Sequence, residues 1–246
     1  MSKFHWFGDS WVVGSELELE VQDNVKQNYT FAKLVSDHFD AECVNLGQPG
    51  IGNDLLPLIL FENIHNINVQ TDIVFFCLTS HHRVVMLDDK KNPLTILPSI
   101  QDDNRRNTEH PYWKEWYKYF DNEYNQIFNY ERTINLLYLW CQSQQIDFYF
   151  VNLFTTVTES IFDLTQATRW LLPKNQSLSD CIFPNTDIEF GGIVLEDRAW
   201  LTTEQWKQQQ QAIKQYIEPC FCHPNVAGHK KLANELIKLV KQSQYK

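Results

Sequence analysis

Residues 4–14 read FHWFGDSWVVG. An apolar run breaks at Gly8-Asp9-Ser10 and resumes at Trp11 with an amphipathic pattern. Short β-rich runs recur along the chain and alternate with helical patterns. That alternation predicts an α/β fold, a parallel sheet with helices on both faces. In such a fold the break is a turn leading from a strand into a helix. Open α/β sheets bind ligands beyond the carboxyl ends of their strands. A turn that lifts Ser10 at that edge is one way to expose a nucleophile. Gly, Asp and Ser are also favoured in plain turns, each for its own local reason, so the tripeptide alone does not decide between the two.

The rest of the chain supplies the frame. Residues 3–7 read as the first strand. A helix is predicted over 29–39, where Phe31, Leu34, Val35 and Phe39 share one face. ECVNL (42–46) is a second strand. A helix should start at Asn53, with the Asn53 side chain capping DLLPLILFENI and Pro57 tolerated in its first turn. TDIVFFCL (71–78) is the continuous apolar run of a strand buried on both faces. RVVML-DDKKN-PLTIL (83–97) reads as a hairpin at the sheet's edge. A long helix is predicted over 112–144. Its aromatic stripe of Trp113, Trp116, Tyr117, Phe120, Tyr124 and Phe128, with Ile127, suits core or lid packing better than a ligand box. IDFYFVNLF (146–154) is the fourth strand. Residues 155–218 leave room for a fifth strand that the pattern does not place. A closing helix follows Asn225, with Leu232, Ala233, Leu236, Ile237 and Val240 on one side.

Composition narrows the function. The 246 residues include sixteen Phe, ten Tyr and eight Trp, ample for a sizeable core. A formal net charge of −10 argues against a nucleic-acid partner, which needs a concentrated basic face. No cationic and apolar leader opens the sequence and no apolar run suits a membrane helix. The expectation is a soluble, cytoplasmic protein without membrane insertion. Its six cysteines are expected to be free thiols, with Cys77 and Cys141 in the core.

Four polar motifs fall at strand or helix ends: GDS (8–10), NLGQPGIGND (45–54), TSHHR (79–83) and HPNVAGH (223–229). Each has a plain reading. Gly47, Gly50 and Gly52 can be turns, or can bring bare N–H groups to a reacting oxygen. His81 and His82 point opposite ways in a strand, so only one faces a site. Cys220-Phe221-Cys222-His223 hints at zinc, but no second ligand cluster matches it in sequence; His5, His81 or His82 would have to complete the set in space.

Together the motifs resemble the SGNH, or GDSL-type, hydrolase family. FGDSW is similar to its first block, NLGQPGIGND to the second, and HPNVAGHKKLANEL to the last, with DIVFFCLTSHHR where the third belongs. The run also resembles members encoded by tailed bacteriophages. The resemblance implies one SGNH hydrolase-like domain over 1–246, with an aromatic-rich, lid-like insertion at about 84–130. Its architecture would be a three-layer α/β/α sandwich of flavodoxin-like type with a mostly parallel sheet. It also implies an esterase that removes an acetyl or other small acyl group from a carbohydrate or lipid, with no metal or organic cofactor. Ser10 would be the nucleophile and His223 the base. The N–H groups of Ser10 and Gly50 would bind the oxyanion. Asp9 would hold the turn, Asn225 would cap the last helix, and His229 would pack.

Two departures stand out. The family's third-block Asn, an oxyanion donor, is replaced by His81, so Ser80 or His81 must donate instead. Loss of one such donor costs about 3–4 kcal/mol of transition-state stabilisation. The acid three residues before the catalytic histidine is replaced by Cys220; a backbone carbonyl can fix the tautomer instead, giving a Ser-His dyad, or Glu218 can reach back along a path that Pro219 stiffens. A neutral thiol cannot support an imidazolium, so slow hydrolysis is expected. The competing expectation is an SGNH-like glycan-binding or structural module that has lost hydrolysis.

Overall fold

The computed structural model describes residues 1–81, 83–87, 93–96, 123–154, 160–174, 176–182, 215–216 and 223–243. Strands β1 (Lys3–Phe7), β2 (Glu42–Asn45), β3 (Ile73–Leu78) and β6 (Asp147–Asn152) form one parallel sheet in the order β2-β1-β3-β6. Setting aside a hairpin, β4 (Val84–Leu87) with β5 (Pro93–Ile96), this is the flavodoxin-like order. Its register pairs Phe4 with Ile73 and Ile73 with Asp147. Beyond β6 the expected fifth strand is reduced, among the described residues, to one parallel bridge between Phe150 and Trp170.

Side chains alternate across the sheet because successive residues of a strand point to opposite faces. Phe4, Trp6, Phe75, Cys77, Tyr149 and Val151 share a core with α2 (Phe31–His38) and α5 (Val226–Ser243). Phe7, Val74, Phe76, Leu78, Phe148 and Phe150 share the other with α3 (Leu56–Asn63) and α4 (Glu123–Ser143). The result is a three-layer α/β/α sandwich. Trp6 shows how α2 is fixed on its face. Its ring stacks on Phe75 with centroids 4.1 Å apart, and its indole N–H donates to Ser36 Oγ at 3.0 Å. Leaving that buried N–H without an acceptor would cost about 1–3 kcal/mol.

The buried pair of His5 Nε2 and Asp72 Oδ2, 3.1 Å apart, lies where β3 begins. Burial raises the Asp72 pKa, but hydrogen bonds from Asn68, His5, Lys3 and Thr71 outweigh it and hold the carboxyl below its ordinary value. Glu131 of α4 is equally committed. Its carboxylate accepts the N–H groups of Ile161 and Phe162, and Asn135 clasps the same loop through Phe162 and Leu164. These buried acids hold the fold together. Among the described residues no helix is long and apolar enough to cross a membrane.

Three expectations need correction. Asn53 does not cap a helix: α3 begins at Leu56 without a side-chain cap, after a 3₁₀ turn over Asn53–Leu55. The hairpin forms, but as a separate two-stranded sheet. It leaves the central strand β3, whose two edges β1 and β6 already occupy, so no free edge lies beside it. Tyr124 and Phe128 are 72% and 45% exposed. The buried face of α4 is Ile127, Tyr130, Ile134, Leu137, Tyr138 and Cys141, and at about 100° per residue Tyr124 and Phe128 lie roughly a quarter turn or more away from its centre. Trp113, Trp116, Tyr117 and Phe120 lie outside the described residues.

Gly228, in the first turn of α5, offers a test of how tightly that helix is seated. A Cβ there would lie 2.2 Å from the Tyr216 carbonyl oxygen, a backbone atom that cannot swing aside. Gly228→Ala should lower stability by about 1–3 kcal/mol, the usual cost of overpacking. Urea unfolding checks this, and an unchanged midpoint would contradict the packing.

Candidate active site

The site is built at the carboxyl edge of the sheet, beginning with the turn after β1. Helix α1 (Ser10–Val13) is one turn long. Asp9 caps it by accepting the Trp11 N–H at 3.0 Å. The other Asp9 oxygen accepts the Thr79 hydroxyl at 2.9 Å and an Arg83 guanidinium N–H at 3.0 Å. Asp9 is fully buried and the Arg83 side chain only 15% exposed. The Arg83 guanidinium also sits 5.8 Å over the Phe154 ring. Asn53 completes the network. Its carbonyl accepts the Thr79 N–H and its amide donates to the Thr79 C=O, both at 2.8 Å. The role of Asn53 is thus to fix the end of β3 beside the serine turn.

Ser10 Oγ lies 2.8 Å from His223 Nε2. His223 arrives from the segment before α5. Asn225 caps that helix as expected, accepting the Gly228 N–H at 2.9 Å, and its own amide donates to the Gln215 C=O. The Val226 N–H donates to Glu20 Oε2 at 2.7 Å. His229 lies elsewhere. Its Nδ1 accepts the Phe31 N–H at 3.2 Å, and its ring lies against that of Phe31 with centroids 5.7 Å apart. Burial, helped by the nearby His223, pushes the His229 pKa down to about 3. His229 is therefore neutral and holds α2 against α5.

The far side of His223 differs from expectation. Its Nδ1 lies 3.0 Å from Glu16 Oε2, so a carboxylate does stand beside this ring. Both atoms are buried, and neither makes an aligned hydrogen bond to this or any other partner among the described residues. The contact is at ion-pair distance, with the N–H off the line to the oxygen. Glu16 has φ 70° and ψ −1°, the left-handed region, which costs a side-chain-bearing residue roughly 1–2 kcal/mol. Cys220, Cys222, Glu218 and His82 lie outside the described residues.

The expected oxyanion donors sit as follows. Gly50 has φ 74°, and a Cβ built there meets nothing within 4 Å, so its loop borders open space. Ser80 and His81 are buried just past β3, where the Arg83 N–H donates to the Ser80 C=O at 3.2 Å. The His81 ring stands edge-on to Tyr130, with centroids 6.3 Å apart. The described cysteines are held as neutral thiols. Cys43, Cys77, Cys141 and Cys181 are free, and burial raises all four, Cys141 and Cys181 to about 12. Among the described residues no three His, Cys, Asp or Glu side chains gather in the way a metal site requires.

Sequence reasoning missed Glu16, Glu20, Thr79 and Arg83. The one available signal was Gly14, which ends α1 with φ 74° and turns the chain back. That signal does not say where the following glutamates land.

No protein-family model matches the chain, and no curated protein sequence matches it. Three solved structures of similar shape illustrate the comparison. One is a member of the lipolytic protein G-D-S-L family from Veillonella parvula. It is 10% identical with a TM-score of 0.44, the match covering 98% of this chain and 100% of that one. A carbohydrate esterase with divergent catalytic and non-catalytic binding functions is 13% identical with a TM-score of 0.45, over 98% and 65%. A two-domain esterase active on acetylated mannans is 11% identical with a TM-score of 0.44, over 100% and 50%. This chain therefore spans half the length of that last protein.

Two predictions concern the supports. Asp9→Asn strands the Arg83 charge in the interior and should cost about 3–5 kcal/mol, whereas Asp9→Asn with Arg83→Met should recover part of the loss. A double-mutant cycle by urea unfolding checks this. His229 has a folded pKa of about 3 against an ordinary 6.5, so the unfolded chain binds more protons between these values. Its contribution is full above about pH 6.5 and is lost as the pH falls towards about 3. His229→Asn, which can still accept the Phe31 N–H, should show a flatter fall in stability over that window.

Proposed function

We propose that the protein is an SGNH-type serine hydrolase that cleaves an ester, an acetyl or other small acyl group on a carbohydrate or lipid. The single observation that carries the reading is the 2.8 Å separation of Ser10 Oγ and His223 Nε2 at the carboxyl edge of a parallel sheet. The order of the sequence blocks supports it. In this reading the Ser10 hydroxyl attacks the ester carbonyl while His223 Nε2 takes its proton. The tetrahedral oxyanion is held by the N–H groups of Ser10 and Gly50, with Ser80 or His81 as a further donor. Collapse expels the alcohol, which takes the proton back from His223 and leaves an acyl-serine. Water, deprotonated by the same histidine, then releases the acid. No step calls for a metal or organic cofactor.

The test is labelling with a fluorophosphonate, which reports an activated serine without the true substrate, together with turnover of p-nitrophenyl acetate. Wild type should label. Ser10→Ala and His223→Ala should not, with turnover lower by on the order of 10⁴-fold or more. Labelling that survives in Ser10→Ala would sink the proposal. A wild type inert to both reagents would favour the glycan-binding or structural module.

A further inference from the structure

We propose that Glu16 is the carboxylate that orients His223, supplied from the nucleophile's own side of the chain instead of from the segment before the histidine. The role rests on the hydrolase reading for its catalytic consequence. The contact itself does not.

Four observations carry it. First, Glu16 Oε2 faces His223 Nδ1 at 3.0 Å, and each atom is buried with no aligned hydrogen bond to any partner among the described residues. Second, the neighbouring carboxylates are engaged elsewhere. Asp9 accepts from Trp11, Thr79 and Arg83; Glu18 turns outward to Lys26; Glu20 accepts the Val226 N–H. Third, the Glu16 backbone is left-handed at the third position of the turn closed by the Leu17 N–H on the Gly14 C=O, just before a 3₁₀ turn at Leu17–Leu19, a position that glycine ordinarily takes. The other described non-glycine residues with positive φ, Asp40 and Gln145, each sit two residues past a helix. Glu16 instead follows Gly14, which has already ended α1. Strained backbone of this kind persists where the surroundings impose it, and it clusters at functional sites. Fourth, Glu16 and Glu20 both reach the 223–226 segment, so one short stretch after the serine turn grips the histidine and the start of its helix.

The chemistry follows. A carboxylate that accepts the Nδ1 proton leaves the Nε2 lone pair facing Ser10 Oγ, and it stabilises the imidazolium that forms during attack. Position 220 has a thiol where the family resemblance expects that acid, and the requirement is met from position 16. Glu16 is a positioning residue, since it acts through His223.

The experiment compares wild type with Glu16→Gln, Glu16→Asp and Glu16→Gly. Kcat and KM, fluorophosphonate labelling rate, thermal midpoint and the ¹⁵N shifts of His223 are measured for each. Glu16→Gln should lose about 10³–10⁴-fold in kcat with little change in KM, and Glu16→Asp should recover part of it. Glu16→Gly relieves the left-handed strain. It should hold or raise the thermal midpoint while losing kcat as Glu16→Gln does, an outcome that a merely structural residue would not give. In the wild type the ¹⁵N shifts should put the His223 proton on Nδ1, and Glu16→Gly should redistribute it. If Glu16→Gln keeps kcat within a few-fold while Ser10→Ala is dead, the inference falls and the hydrolase reading stands. If wild type is inert to ester and probe, the hydrolase reading falls, and the ¹⁵N result judges the contact alone. A His223 proton on Nε2, or one indifferent to Glu16, overturns it.

Discussion

A buried carboxylate sets the terms for the active edge. Asp9 has no exposed surface, and an unpaired charge in that position would be strongly unfavourable. It is tolerated because three donors converge on it: the Trp11 N–H, the Thr79 hydroxyl and the Arg83 guanidinium. Each donor belongs to a different local structure, namely the serine turn, the end of β3 and the residue after the turn that follows it. Satisfying one charge therefore fixes three pieces of chain relative to one another. Asn53 adds a fourth by gripping both polar groups of the Thr79 backbone. Ser10, one residue past Asp9, inherits its position from this network.

The histidine is held by a separate set of forces. Residues 10 and 223 are 213 positions apart, and the docking of α5 on the sheet helps to bring them together. That docking rests on Leu232, Ala233, Leu236 and Val240 packed into the core shared with α2, and on His229 accepting the Phe31 N–H. His229 serves as an uncharged acceptor, which suits a site closed to water. With His223 beside Ser10 and His229 in a structural hydrogen bond, two imidazoles stand near each other, one of them kept neutral by burial.

Much of this was legible in the sequence, for identifiable reasons. Strands β1, β3 and β6 are mostly buried runs rich in Phe and other apolar residues, and such runs have few alternatives in a chain of this pattern. The nearness of Ser10 and His223 and the Asn225 cap were legible because turn and cap residues sit at fixed local spacings. Asn53 was misread because an Asn before an apolar helix satisfies the cap pattern equally well whether its amide bonds its own helix or a strand 26 residues away. Tyr124 and Phe128 were misread because a stripe at intervals of three and four fixes a helical face but not which face is buried. Glu16 was illegible because its partner depends on two successive left-handed turns, at Gly14 and at Glu16 itself.

The acid's place in the sequence is free in a way that the serine's and the histidine's are not. As a base, His223 would require a negative charge at Nδ1, on the side of the ring opposite Ser10. Among the described residues that space adjoins the segment leaving α1, which carries Glu16, whose side chain is a methylene longer than aspartate and reaches the ring from a loop two residues beyond Gly14. The left-handed backbone that aims it costs roughly 1–2 kcal/mol. A charge-assisted hydrogen bond contributes about 1.5–3 kcal/mol, enough to offset that strain once the N–H and the carboxylate align. Glu16 Oε2 and His223 Nδ1 are close but not aligned, so on the proposed role the compensating interaction would be strongest when the imidazole becomes charged.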